Sequence, residues 1–263
     1  MLELIDKGQP STEHPHPLLF VHGAFHDGSS WDVNFLDYFV ERGFRVLAPS
    51  LRGHSSSPAG KPLRLCSIAD FVDDVASIAN SLAHQPILVG HSMGGFVIQK
   101  YLESNDAPAG VLLASAPPRG HLRSMLRIVR RNPWRCSKFA LSGRPTDLYG
   151  GTLAGARDLF FTAETPESVI GEGTARLQPD STRAILIDMV ARELVKTERI
   201  DTPLLVLGGE QDAIYRDSDV RATARAHGTE ASFIPDMGHE MMLEPGWATV
   251  AERIRSWLTE RGL

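Results

Sequence analysis

The chain has 263 residues, 42% of them hydrophobic and 22% charged, with a formal net charge of −5. This is globular composition, which excludes a disordered tail, a collagen repeat or a disulfide-stapled miniature fold. Two cysteines, Cys66 and Cys136, form neither a disulfide framework nor a four-ligand metal site, and net acidity argues against nucleic acid as the main partner. The opening residues lack the apolar run of a signal peptide and no 18-residue apolar stretch occurs, so a soluble, cytoplasmic protein is expected.

In chain order, short apolar runs alternate with helical patterns. Leu18–Val21, Phe44–Ala48, Pro86–Gly90, Val111–Ala114 and Leu204–Leu207 read as buried strands, and Ala231–Ile234 as a further one. Only 17 residues precede Leu18, so any strand pair there must be short. Ile68, Phe71, Val72, Val75, Ile78 and Leu82 recur at helical spacing behind Ser67, whose pairing with Asp70 is a capping-box variant. Trp247, Val250, Ile254, Trp257 and Leu258 make a closing helix. Such alternation predicts a mostly parallel, doubly wound α/β sheet.

Between about 117 and 200 the pattern changes. No convincing strand occurs, and helical segments Leu122–Arg131 and Thr182–Leu194 stand among prolines and glycines. This stretch holds 14 basic and 9 acidic residues, the remainder 13 and 23. We therefore expect residues 1–116 and 201–263 to form the sheet core, and 117–200 a helical cap inserted over the strand ends where ligands bind in such folds.

Gly90-His91-Ser92-Met93-Gly94 is a G-x-S-x-G sequence between a predicted strand and a predicted helix, Phe96–Glu103. A strand-to-helix turn this tight strains the serine backbone and needs small neighbours at 90 and 94. It projects the hydroxyl at a helix N-terminus, where free N–H groups favour developing negative charge. A serine needs a base, and the base an orienting acid, in the chain order serine, acid, histidine. Asp212 and His239 each follow the end of a predicted strand, which puts them on the sheet edge of Ser92. Ser92 is the expected nucleophile, His239 the base and Asp212 the acid, with Glu210 and Asp236 as rival carboxylates. His22 and His54 are expected to hold loops, His91 to be structural because the sharp turn sends its side chain elsewhere, and His14, His16, His84, His121 and His227 to be surface or turn residues. The oxyanion donors should be the backbone amides of Met93 and Ala24, with Phe25 as the fallback.

These residues resemble the α/β-hydrolase family: Val21-His22-Gly23-Ala24, Arg52-Gly53-His54, Gly90–Gly95, Asp212 and His239. The likeness covers nearly the whole chain and is greatest to esterase, lysophospholipase and monoacylglycerol-lipase-like members, whose cap follows the sixth strand. It implies a Ser-His-Asp triad without cofactor or metal. His22–Trp31 and His239–Pro245 also resemble the methylesterase and hydroxynitrile-lyase branch, but lyase members carry lysine where this chain has Glu240. Ser50 replaces the aspartate that many relatives carry before Arg-Gly-His, a change expected to affect loop packing.

The expected activity is hydrolysis of a lipophilic carboxylic ester, with Phe25, Phe160 and Phe161 as substrate-binding residues and Trp134 and Met189 as further candidates for an acyl pocket. Plain packing is the competing account of these aromatics. Eight basic residues between Arg119 and Arg144, with no acidic one among them, either pack on the acidic core or meet an anionic or lipid surface. A carbon–carbon bond hydrolase, a cofactor-free oxygenase and a small-molecule receptor with a vestigial triad are the alternatives.

Overall fold

Strands whose side chains are buried on both faces need helices on both sides, and five runs here meet that condition. In the computed structural model, which describes residues 1–263, the strands are β1 (Leu4–Lys7), β2 (Leu18–Val21), β3 (Val46–Pro49), β4 (Ile87–His91), β5 (Gly110–Leu113), β6 (Leu204–Gly209) and β7 (Ala231–Ile234). Every residue of β2 to β6 is buried. They form one sheet in the order β1-β3-β2-β4-β5-β6-β7, parallel throughout except for β1, which runs antiparallel along the edge of β3. β1 is half exposed, as an edge strand can be.

Parallel register brings the carboxyl ends of the strands to one edge: Val21 pairs with Gly90, His91 with Leu113, and Gly209 with Ile234. From β2 the chain runs outward to β3 and then returns past β2 to β4. The order reverses between β2 and β4, and ligands bind in the crevice at such a switch point. The loops that leave β2 and β4 carry Ala24 and Ser92.

The insertion follows the fifth strand of this chain. The expected sixth-strand position is thus off by one, because the short segment ahead of Leu18 holds a single strand, β1, and not a pair. Between β5 and β6 the chain is helical, with segments Leu122–Arg131, Pro133–Ser142, Pro145–Tyr149, Leu153–Phe160 and Glu167–Ala175. Pro133 and Pro145 open two of these, where the missing N–H costs nothing, and Gly143 and Gly150 end them at positive φ. The expected Thr182–Leu194 helix is present in its central turns, but Ala184–Arg192 is wound as a π-helix. Elsewhere Ser67 caps Ile68–Ala79 through a reciprocal bond with Asp70, and the helix after β4 starts at Met93, three residues earlier than expected. No helix is long and apolar enough to cross a membrane.

Candidate active site

Ser92 joins β4 directly to the helix Met93–Leu102 at φ +51°, ψ −113°, a conformation that L-residues avoid. Its backbone is held on both sides: the N–H donates to Leu113 O (3.0 Å), and its carbonyl accepts from Ala116 N (3.2 Å). The flanking glycines are sterically required. A Cβ on Gly90 would stand 2.6 Å from Gly94 O, and one on Gly94 would collide with the carbonyl oxygens of Val21 and His22. The helix therefore starts hard against the end of β2, with the Ser92 hydroxyl at the crevice.

His239 Nε2 lies 3.0 Å from Ser92 Oγ, and His239 Nδ1 donates to Asp212 Oδ2 at 2.9 Å. With Nδ1 protonated, Nε2 of the neutral ring accepts the serine proton. Asp212 is fixed in turn, because its Oδ1 accepts from the amides of Ile214 (2.7 Å) and Tyr215 (3.0 Å). All three side chains are buried. Burial opposes a charge on His239, but the Asp212 carboxylate, with Glu240 and Glu244 beyond it, outweighs this, and the net shift of its pKa is upward. Glu240 is ionised in the interior, its pKa near 2: burial pushes it up, but His26, 3.1 Å away, pulls it down further. The rival carboxylates Glu210 and Asp236 are exposed, and Asp236 accepts from the Gln211 side chain.

The loop after β2 is locked on either side of Ala24. His22 Nδ1 donates to Gly23 O (2.9 Å) while its Nε2 accepts from Leu51 N (3.0 Å), and burial drops its pKa to about 3, which keeps the ring neutral. On the far side, the amide of Phe25 donates to Asp180 Oδ2 at 2.7 Å. Phe25 itself is at φ +71°. The amide of Ala24 between them has no acceptor in the protein, and Ala24 lines the same cavity as Ser92. The Met93 amide is the first of its helix and has no intrahelical acceptor. The fallback donor Phe25 is ruled out, since its N–H is already committed to a buried carboxylate.

The cavity holds about 390 Å³ and is lined mostly by apolar groups. Ala24, Phe25, Ser92 and Met93 form its floor. Met125, Ile128, Val129 and Phe139, from the first two helices of the insertion, and Leu186 and Met189, from the π-helix, form its walls. Its polar lining beyond Ser92 includes His121, Ser124, Ser137 and Tyr215.

Residues 18–253 match the family described as the alpha/beta hydrolase family. The chain belongs to that family. This hydrolase is 35% identical over 219 residues to a bifunctional esterase/perhydrolase of Acinetobacter calcoaceticus, covering 75% of this chain and 74% of the relative. It is 27% identical over 233 residues to a non-heme chloroperoxidase of Burkholderia pyrrocinia, covering 77% of each. Among solved structures, an esterase from Thermogutta terrifontis aligns with a TM-score of 0.78 at 22% identity, over 100% of this chain and 94% of that one. At such identity the structural likeness is one of fold.

Of the hydrolase's expected binding residues, Phe25 lines the cavity, but Phe160 and Phe161 do not. Their rings pack within the insertion, Phe160 against Tyr149 (6.1 Å) and Phe161 beside Gly173, while Phe160 O accepts the amides of His239 (3.0 Å) and Glu240 (3.2 Å). Trp134 points to solvent at 70% exposure, whereas Met189 does line the cavity. His121, expected at the surface, is buried in the cavity wall just ahead of the helix Leu122–Arg131, held by Ile185 O and Tyr215 Oη. Sequence reasoning missed Asp180, Tyr215 and the role of His121, and nothing local marks them.

Asp180 is fully buried, with His54 Nε2 3.2 Å from the same oxygen that takes the Phe25 amide. His54 Nδ1 lies 3.3 Å from Leu51 O, so an acceptor stands near each ring nitrogen, which favours the protonated ring. Burial opposes that charge but Asp180 overrides it, raising the His54 pKa above 6.5, while His54 helps hold Asp180 below the usual carboxylate range. A histidine with a raised folded pKa stabilises fully below its unfolded value and loses the contribution as pH rises through the folded one. Asp180→Asn keeps an acceptor for Phe25 but removes the charge beside His54. We expect its urea midpoint at pH 6 to fall by the equivalent of roughly 1–3 kcal/mol, with the gap to wild type narrowing toward pH 9. A gap independent of pH would show that His54 is uncharged.

Proposed function

We propose that this hydrolase cleaves carboxylic esters bearing an apolar acyl group, through an ester formed on Ser92. The observation that carries this is the buried hydrogen-bonded chain Asp212–His239–Ser92 opening into an apolar cavity. Ser92 Oγ attacks the carbonyl carbon as His239 Nε2 takes its proton, and Asp212 stabilises the imidazolium. The amides of Ala24 and Met93 receive the oxyanion, and losing one such donor typically costs about 2.7–4 kcal/mol. His239 returns the proton to the leaving alcohol, then takes one from water as the acyl group is released. The esterase named among the relatives supports the same chemistry.

The esterase/perhydrolase relative supports a second nucleophile. Hydrogen peroxide attacking the acyl carbon, with its proton passing through His239 to Ser92 Oγ, yields a peroxy acid and the free serine. No redox step is needed.

Two helices of the insertion turn one face to the cavity and the other outward. The outward face carries Leu122, Leu126, Trp134 and Leu141, the last 89% exposed, among Arg119, Arg123, Arg130 and Arg131, which make no ion pair. By contrast Arg127 is paired with Asp219 at 2.7 Å. Exposed apolar groups ringed by unpaired cations match an anionic lipid surface, and we assign that occupant to this face.

Ser92→Ala should abolish turnover and labelling by a fluorophosphonate while the melting temperature is kept, and labelling at the wild-type rate would exclude Ser92 as nucleophile. Along a series of p-nitrophenyl esters, kcat/KM should rise by up to about fourfold per methylene until the cavity is full. Because His239 must be neutral to act and its pKa is raised, the acid limb of kcat/KM should have its midpoint above pH 6.5. Vesicles containing phosphatidylglycerol should co-sediment with the wild type, and Trp134→Ala with Leu141→Asp should weaken this at least fivefold without changing p-nitrophenyl butyrate hydrolysis. Equal sedimentation with neutral phosphatidylcholine vesicles would remove the charge argument.

A further inference from the structure

One polar pair in the cavity takes no part in the chain from Asp212 to Ser92. The buried Tyr215 ring stands edge-on to the His239 imidazole with centroids 5.6 Å apart, and its hydroxyl meets His121 Nδ1 at 3.0 Å. The other ring nitrogen settles the direction of that bond. His121 Nε2 lies 2.7 Å from the carbonyl oxygen of Ile185, which can only accept, so Nε2 bears the proton. Burial lowers the His121 pKa, so the ring is neutral near pH 7 and Nδ1 is a bare acceptor. Tyr215 therefore donates to His121 and turns its lone pairs elsewhere. Burial, with Asp212 and Asp219 nearby, keeps the phenol protonated, and the Ser92 hydroxyl is close enough to offset part of that effect. Tyr215 Oη is thus a fixed acceptor in the cavity that Ser92 also lines, where most other groups are apolar.

We propose that Tyr215 Oη holds the second hydrogen of the water that hydrolyses the Ser92 ester, with His121 as the positioning residue that keeps Oη an acceptor. The proposal rests on the serine mechanism above. As the water oxygen bonds to the acyl carbon, one hydrogen passes to His239 Nε2. The bond from carbon to Ser92 Oγ breaks, and that proton moves from His239 to Oγ. The second hydrogen stays on the oxygen of the product acid throughout, and its bond to Oη aims the attacking lone pair at the carbonyl. Acylation makes no such demand, since the leaving oxygen has lone pairs but no hydrogen to give Oη.

Tyr215→Phe keeps the ring against His239 and removes only the acceptor. With p-nitrophenyl butyrate we expect the single-turnover acylation rate to stay within twofold of wild type. Acid-quench mass spectrometry should show the butyryl-enzyme decaying at least tenfold more slowly. Methanol has one hydroxyl hydrogen, which goes to His239, so it does not need Tyr215. In methanol–water mixtures the ratio of methyl butyrate to butyric acid should rise at least fivefold in Tyr215→Phe, and similarly in His121→Phe. A merely structural disturbance would slow both nucleophiles alike and leave the ratio unchanged. An unchanged ratio, with the butyryl-enzyme decaying at the wild-type rate, overturns the inference. Absence of any butyryl-enzyme in the wild type would instead overturn the serine mechanism, and this inference with it.

Discussion

The backbone at Ser92 is the constraint on which the rest of the site depends. A residue at φ +51° between a strand and a helix is tolerated only because its surroundings over-determine it. The end of β5 grips it by two hydrogen bonds, and the glycines at 90 and 94 let β4, the following helix and the end of β2 approach within backbone contact. That approach places a hydroxyl, a helix N-terminus and the loop after β2 around one point. A single methyl group on Gly94 would force β2 and the helix apart, and the Ala24 amide would move with β2.

Around that point the two parts of the chain contribute unlike things. The sheet supplies Ser92, Asp212 and His239 from the ends of β4, β6 and β7, held by backbone amides and neighbouring carbonyls. The insertion supplies the apolar walls and the buried carboxylate of Asp180. Because that carboxylate engages the Phe25 amide and stands 3.2 Å from His54, the insertion is tied to the loop that presents Ala24. Apolar walls set a low dielectric, in which the few oriented dipoles and charges act more strongly than they would in water.

Several features were plain in the amino-acid order because they are local. The strand-to-helix turn at Ser92 shows itself through a strand before it, a helix after it and small residues two positions either side. Asp212 and His239 were legible because each follows a strand end, and parallel strands bring their carboxyl ends to one edge whatever lies between. Ser67 and Asp70 announce a helix start by a spacing of three. The aromatics were less legible. Phe160 and Phe161 lie in the insertion near the site, but their side chains turn to Tyr149 and Gly173, and hydrophobicity carries no sign of that direction. The inward turn of His121 depends likewise on partners far along the chain, Ile185 and Tyr215.

By itself, then, the sequence determined a parallel sheet with helices on both faces, a strained serine, and an acid and a histidine delivered to its edge, since each follows from contacts within a few residues or from strand direction. Only the tertiary structure decided that Asp180 takes the Phe25 amide across 155 residues, and that Tyr215 donates to His121 across 94. It also decided which face of each inserted helix meets the cavity. These pairings join segments whose approach is set by packing over the whole molecule, and no spacing along the chain encodes them.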